Sequence, residues 1–206
     1  PPPPPSTLHG SSAASDVHKR QVDEIYQGVS QEGVPLPTML SKTDDAFIVN
    51  SFSKYFGMTG WRLGWLIAPD QAVDPLIRIA QNLFICPSVV AQAAATAAFC
   101  EEAVEEADRR SLDLAKKRSL MSEGLTALGF RIPANPDGAF YLFAEVPEGA
   151  PDAEPFCEQA LQQVGVAITP GIDFGDNGTE RLVRISCAQP TSVLRDALLR
   201  LRGLAA

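Results

Sequence analysis

The sequence predicts an α/β protein built in two parts, and three observations carry that prediction. Apolar runs, Ala46 to Val49 and Leu63 to Ala68, flank a polar and glycine-rich centre, Asn50 to Trp65, so a loop is expected between two buried strands. A long stretch, Glu101 to Leu128, sets Val104, Ala107, Leu112, Ala115, Leu120, Leu125 and Leu128 at mostly helical spacing and is closed by Gly129. Beyond Gly129 the pattern changes to short strands alternating with helices. The expectation is therefore a larger domain with a mostly parallel sheet and helices over 22–100, followed by a smaller C-terminal α/β domain over 101–206.

Taken in order, Pro1 to Gln21 is rich in Pro, Ser and Ala, lacks an apolar period and reads as a disordered leader, 1–21. Gln27 to Asp45, with Gly28, Gly33, Pro35 and Pro37, reads as a loop-rich connection into strand Ala46 to Ser51. Strand Leu63 to Ala68 ends at Pro69. Asp74-Pro75 offers an N-cap and a first-turn proline for a helix through about Leu83, and Pro87-Ser88 does the same for the Ala-rich stretch from Val89. Phe130 to Ile132 and Ala139 to Val146 flank the turn Asn135-Pro136-Asp137-Gly138 in the manner of a hairpin. A helix from Asp152 to Gln163 stopped by Gly165, strand Val166 to Thr169, strand Arg181 to Cys187 and a helix from Thr191 to Arg202 complete the chain.

Composition narrows the function. The chain has 206 residues, 45% hydrophobic and 20% charged, which is enough apolar material for a core. A net charge of -8 argues against a nucleic-acid partner, which would want a basic face. Its apolar stretches are too short or too interrupted to cross a bilayer, so no membrane association is expected. Cys86, Cys100, Cys157 and Cys187 sit apart in apolar contexts without Cys-x-x-Cys pairs, which points to buried free thiols in a reducing cytoplasm. His9 and His18 both lie in the polar N-terminal stretch, and no metal site is expected.

The chemistry concentrates in Asn50 to Trp65. Lys54 is the only lysine there, flanked by Phe52, Tyr55 and Phe56, and desolvation among aromatics favours the neutral amine that can attack a carbonyl. Ser51, Ser53 and Arg62 add two hydroxyls and a planar guanidinium, a set suited to a phosphate dianion beside an aldehyde. The pattern Ser-x-Ser-Lys followed by Gly-x-Arg-x-Gly, here Ser51, Ser53, Lys54, Gly60, Arg62 and Gly64, resembles the cofactor-lysine signature of class I/II pyridoxal-phosphate aminotransferases, fold type I. The resemblance runs from about Val22 to the end and covers only the C-terminal part of that family's usual chain.

Several expectations follow from the resemblance. The fold would be an incomplete large domain binding pyridoxal 5'-phosphate plus the small domain. Lys54 would join the cofactor and move the Cα proton, while Ser51, Ser53 and Arg62 would hold its phosphate. Asp23 and Tyr26, an aspartate with a tyrosine three residues on, would hold the ring, the carboxylate keeping the ring nitrogen protonated and the phenol donating to the ring oxygen. The residues before Asp23 read Ser-Asp-Val-His-Lys-Arg-Gln where the family has a buried apolar strand, so that strand is expected to be missing. Thr-Pro-Gly-Ile-Asp-Phe-Gly, Thr169 to Gly175, and Val-Arg-Ile-Ser, Val183 to Ser186, resemble the family's C-terminal domain, where an arginine clamps the substrate's α-carboxylate. Arg184 is assigned that role over Arg181 by its Arg-Ile-Ser context, because strand alternation puts the two on opposite faces without choosing between them; Phe140 and Tyr141 fall where the family lines its substrate pocket.

Three classes of function remain open to the sequence. The first is amino-group transfer between an amino acid and a 2-oxo acid, incomplete in this chain alone and carried out by a cytoplasmic homodimer in the complete enzyme. The second is another reaction of the same cofactor fold, a lyase or a decarboxylase. The third is a non-catalytic segment that binds a partner subunit.

Overall fold

The computed structural model describes residues 20–30, 36–134 and 137–204. The predicted α/β class is borne out, and the described residues form two compact units that meet between Leu112 and Asp113, within one helix. The disorder expected for 1–19 and the turn residues Asn135 and Pro136 lie outside the described residues.

The first unit carries a three-stranded sheet in the order β1-β2-β3, with β1 Arg20–Asp23, β2 Ala46–Ser51 and β3 Gly64–Ile67. β1 and β2 run parallel, Asp23 opposite Val49, whereas β2 and β3 are antiparallel, Ser51 opposite Gly64. The strand expected to be missing before Asp23 is therefore present, and the leader does not extend through Arg20 and Gln21. Arg-Gln-Val-Asp carries one apolar residue in four, so its strand character comes from backbone pairing with β2 rather than from its own side chains. Ala46 and Ile48 of β2 are buried, the alternation that makes this strand visible in the sequence.

Three helices follow: α1 Asp70–Leu83, α2 Val89–Ala97 and α3 Glu101–Ala127. α1 begins five residues earlier than Asp74-Pro75 suggested, with Pro69 at its N-cap and Pro75 inside it. Pro75 is the sixth residue of α1, past the four N–H groups that lack a carbonyl behind them, so it removes one i→i−4 bond from the second turn. α2 starts as expected, the Ser88 hydroxyl accepting from the Ala91 N–H at 3.4 Å. The small core of this unit is Phe52, Met58 and Ala95, with Phe56 and Trp65 against it.

The second unit takes the C-terminal part of α3 and adds β4 Tyr141–Glu145, α4 Ala153–Val164, β5 Thr169–Pro170, β6 Leu182–Ser186 and α5 Thr191–Leu201. Its sheet is antiparallel in the order β4-β6-β5. Gly129 and Gly165 take the left-handed conformation, φ 87° and 67°, which ends α3 and α4 where the sequence placed their stops. The expected strand Val166 to Thr169 shrinks to Thr169–Pro170. The core runs from Met121 and Leu125 through Leu142, Ala144, Phe156, Val183 and Ile185 to Leu194 and Leu201.

Among the four cysteines, all free, Cys157 and Cys187 are buried as expected, but Cys86 and Cys100 are exposed. Both exposed thiols sit just outside helix ends, where an apolar sequence context does not guarantee cover. Burial pushes the Cys157 and Cys187 thiols up to about 11. Among the described residues no helix is long and apolar enough to cross a membrane, and no group of three His, Cys, Asp or Glu could hold a metal ion.

Candidate active site

Parallel pairing puts the carboxyl ends of β1 and β2 at the same end of the sheet, and the polar loop leaves from there. Asp23 is the last residue of β1 and is exposed; its Oδ1 accepts from the Ile25 N–H at 3.1 Å, which tightens the turn toward Tyr26. Ser51 is the last residue of β2. Its hydroxyl lies 2.9 Å from that of Ser53, accepts from the Ser53 N–H at 3.0 Å and reaches the Leu63 carbonyl at 3.3 Å. Two half-buried hydroxyls are thus held side by side, with oxygens able to turn their protons toward an anion.

Lys54 follows directly and is half-buried. Its Nζ stands 5.9 Å from the centre of the Tyr26 ring, so two residues singled out separately in the sequence are neighbours. The flanking aromatics serve a different purpose. Phe52 and Phe56 pack 5.0 Å apart and join Trp65 and Phe99 in a ring cluster that anchors the loop. The Gly57 N–H donates to the Lys54 carbonyl, the Met58 N–H to that of Phe52, and the Thr59 hydroxyl to that of Ser53, at 3.0, 2.9 and 2.6 Å.

Arg62 closes the loop before β3 with φ 51°, a left-handed conformation uncommon outside glycine. Its Nη1 donates to the Thr59 carbonyl at 2.9 Å, and the side chain is exposed. Backbone held in such a region persists where surrounding structure demands it, and it clusters at ligand sites.

Sequence reasoning missed the frame around these residues. Gly28 has φ 82°, and a Cβ there would stand 2.4 Å from the Tyr55 ring, so the loop after Tyr26 can pass only as glycine. The Tyr55 hydroxyl donates to Asp108 at 2.6 Å, and the Ser111 hydroxyl donates to the Gly28 carbonyl at 2.7 Å. Asp108 and Ser111 lie on α3 and brace both the lysine loop and the Tyr26 turn. No spacing rule announces such pairs, because they join residues 53 and 83 positions apart. Burial, then the Asp108 carboxylate, pushes the Tyr55 phenol up to about 12.

Arg184 lies in the other unit, on β6 opposite Phe143 of β4 and Thr169 of β5. Its guanidinium carbon is 4.5 Å from the Phe174 ring centre and 5.6 Å from that of Tyr141. A guanidinium held over two rings by cation–π attraction can still offer its N–H fork to a planar anion. Arg181 is spent otherwise: it donates to the carbonyls of Val146, Pro147 and Ala150 and pairs with Glu145 and Asp152. That is a structural fastening of β6 to the segment after β4.

Residues 21–201 match the family described as aminotransferase class I and II. The chain belongs to that family. It is 44% identical over 192 residues to the valine–pyruvate aminotransferase of Mycobacterium tuberculosis, covering 91% of this chain and 48% of that protein. A (5-formylfuran-3-yl)methyl phosphate transaminase of Methanocaldococcus jannaschii is 34% identical over 185 residues, covering 87% and 48%. A crystal structure of an aminotransferase from Mycobacterium tuberculosis superposes with a TM-score of 0.82 at 43% identity over 89% of this chain and 48% of that one. A Thermus thermophilus aspartate aminotransferase double mutant does so with a TM-score of 0.80 at 32% identity, over 89% and 47%. The chain spans about half the length of the curated relatives it matches.

Proposed function

We propose that this chain supplies the cofactor-lysine region and small domain of a pyridoxal 5'-phosphate-dependent aminotransferase, which moves an amino group between an amino acid and a 2-oxo acid. The observation that carries the reading is the pair of hydroxyls, Ser51 and Ser53, followed by Lys54 beside Tyr26 at the carboxyl ends of two parallel strands. These groups suit the cofactor: hydroxyls and the Arg62 guanidinium to donate to its phosphate, the Asp23 carboxylate to accept from its ring nitrogen, the Tyr26 phenol to donate to its ring oxygen and the Lys54 amine for its aldehyde. When bound, that cofactor supplies an electron sink for charge left on the substrate's Cα.

The chain's own residues do the rest. Arg184, stacked on Phe174 and Tyr141, takes the substrate's α-carboxylate on two parallel donors and so fixes the direction of the Cα–H bond. Lys54 carries the proton to and from Cα. Asp23 keeps a proton on the ring nitrogen. Support for a cytoplasmic setting comes from four free thiols, and a homodimeric complete enzyme accords with the apolar surface that the first unit exposes. Activity is assigned to the polypeptide that brings the remaining half of the relatives' length, in cis or in trans.

Borohydride reduction of the protein with pyridoxal 5'-phosphate tests the centre of this reading. The cofactor mass should be fixed on the peptide containing Lys54 and lost in Lys54→Ala; label on Lys42 or another lysine overturns it. Turnover that requires a 2-oxo acid distinguishes amino transfer from a lyase or a decarboxylase. Arg184→Lys should raise the KM for amino acid and oxo acid together while leaving cofactor affinity unchanged.

A further inference from the structure

Arg118, on the part of α3 that belongs to the second unit, is 2% exposed, so a guanidinium lies fully inside the fold. Its Nη1 donates to the Ala139 carbonyl at 2.6 Å. Its Nε and Nη2 are buried without a hydrogen-bond partner among the described residues. Burial lowers its pKa, and the neighbouring Cys187 and Asp137 oppose that shift. A buried cation with two idle donors opposes folding, and a hydrophobic residue of similar volume is often better tolerated. A buried guanidinium of this kind needs an explanation beyond packing.

An explanation lies at its acceptor. Ala139 has φ 62°, one of three non-glycine residues with positive φ among those described, in company with Arg62 and Ile85. An L-residue is held there only by an outside grip, and the Arg118 hydrogen bond is one. The next carbonyl, that of Phe140, accepts from the Cys187 N–H at 2.7 Å and ties the same turn to the end of β6. Tyr141 comes next and opens β4, its ring forming one side of the platform under Arg184. Phe143 and Phe174, 5.5 Å apart, continue the platform to the ring closest to that guanidinium.

We propose that Arg118 is a positioning residue, which locks the turn at Ala139 so that Tyr141 stacks on Arg184 and presents its guanidinium edge-on to a carboxylate. The carboxylate role rests on the function proposed above; the positioning of Arg184 does not. Arg118 acts through the Ala139 carbonyl from inside the core.

The test uses the full 206-residue chain labelled with nitrogen-15 and follows the arginine Nε–Hε resonances. In the native chain the Arg184 resonance should be displaced by the ring currents of Phe174 and Tyr141. In Arg118→Met that displacement should shrink, while the Arg195 and Arg200 resonances and the circular dichroism stay as they were. Ala139→Gly on the Arg118→Met background should bring it back in part, because glycine holds a positive φ without the grip. If Arg118→Met does not fold, Arg118→Lys, which keeps the charge but loses the planar fork, is read in the same way. An unchanged Arg184 resonance in a folded variant overturns the proposal, as does an equal displacement of Arg195 and Arg200, which would mark Arg118 as a general core residue. Titration with pyruvate of the chain joined, in cis or in trans, by the remaining half of the relatives' length reads the other claim separately: no response at Arg184 would sink its carboxylate role and leave the positioning result standing.

Discussion

The two units hold chemistry-bearing residues on very different foundations. The second buries Met121, Leu125, Leu142, Phe156, Val183, Ile185, Leu194 and Leu201 together with eight smaller or neighbouring residues in one continuous core. Among the described residues the first gathers Phe52, Met58 and Ala95 into a cluster, buries Val29, Ala46, Ile48, Ala72, Ala91 and Ala107 outside it, and leaves Leu83, Phe84 and Ile85 at 75%, 57% and 80% exposure. Arg184 therefore stands on a well-packed sheet, whereas Lys54 stands on a ring cluster braced by a few specific hydrogen bonds. Apolar burial is the main source of stability, so the first unit should open at lower cost and its amides should exchange faster.

The largest expected effect lies in the better-packed unit. Phe156 is buried, with its ring 5.7 Å from that of Phe130, and Phe156→Ala should cost about 3–5 kcal/mol by the cavity it leaves. Urea unfolding followed by hydrogen exchange should show the loss in β4, β6 and α4 while protection in β2 changes little. Equal loss in both units would mean that they unfold as one and would break the comparison.

Gly28→Ala should have the next largest effect, in the first unit. A left-handed φ and a Cβ 2.4 Å from the Tyr55 ring together cost roughly 1–3 kcal/mol, by backbone strain and overpacking. The change should also loosen the Tyr55–Asp108 and Ser111–Gly28 bonds, so a drop in the local protection of the lysine loop, larger than the drop in β4, is the measurement. An unaltered lysine loop would show that α3 does not brace it.

Legibility followed the same division between local pattern and distant contact. β2 and α3 were readable because apolar residues recur along them at the period of their own structure. β1 was not, since Arg20, Gln21 and Asp23 look like loop and become strand only beside β2. The start of α1 was displaced because Asp74-Pro75 is a good cap and the sequence offers no reason to prefer Pro69. In the site, Ser51, Ser53, Lys54 and Arg62 were readable as an ordered motif. Gly28, Tyr55, Asp108 and Ser111 were not, because each acquires its purpose from a partner that only the fold brings near.

Alkaline pH probes the same bracing without a substitution. The Tyr55 phenol is raised to about 12 from its ordinary value near 10, by burial first and then by Asp108. A raised folded-state pKa means that the contribution is complete below pH about 10, where both states hold the proton. It is lost as pH climbs toward 12, because the unfolded chain releases its proton first. The hydroxyl is partly screened by water, so the loss should be on the order of 1 kcal/mol. Tyr55→Phe should remove that part of the pH dependence; a slope that survives the substitution would assign it elsewhere.

The smallest effect on stability is expected where the first unit is most exposed, and it sharpens the contrast from the other side. Ile77 and Ile79 of α1 are 49% and 54% exposed, and they line a cleft of about 540 Å³ with Trp65, Leu66 and Phe84. A side chain already half in water gives up little when shortened or made polar, so Ile79→Ser should change the unfolding free energy of this chain by no more than about 0.5 kcal/mol. The same substitution removes apolar surface from a contiguous patch, which is the property that drives self-association and dye binding. Binding of an apolar fluorescent dye should fall measurably and the concentration at which the chain aggregates should rise. A loss comparable to that of Phe156→Ala would mean that Ile79 is packed as deeply as the second unit's core, and the difference between the two foundations would disappear.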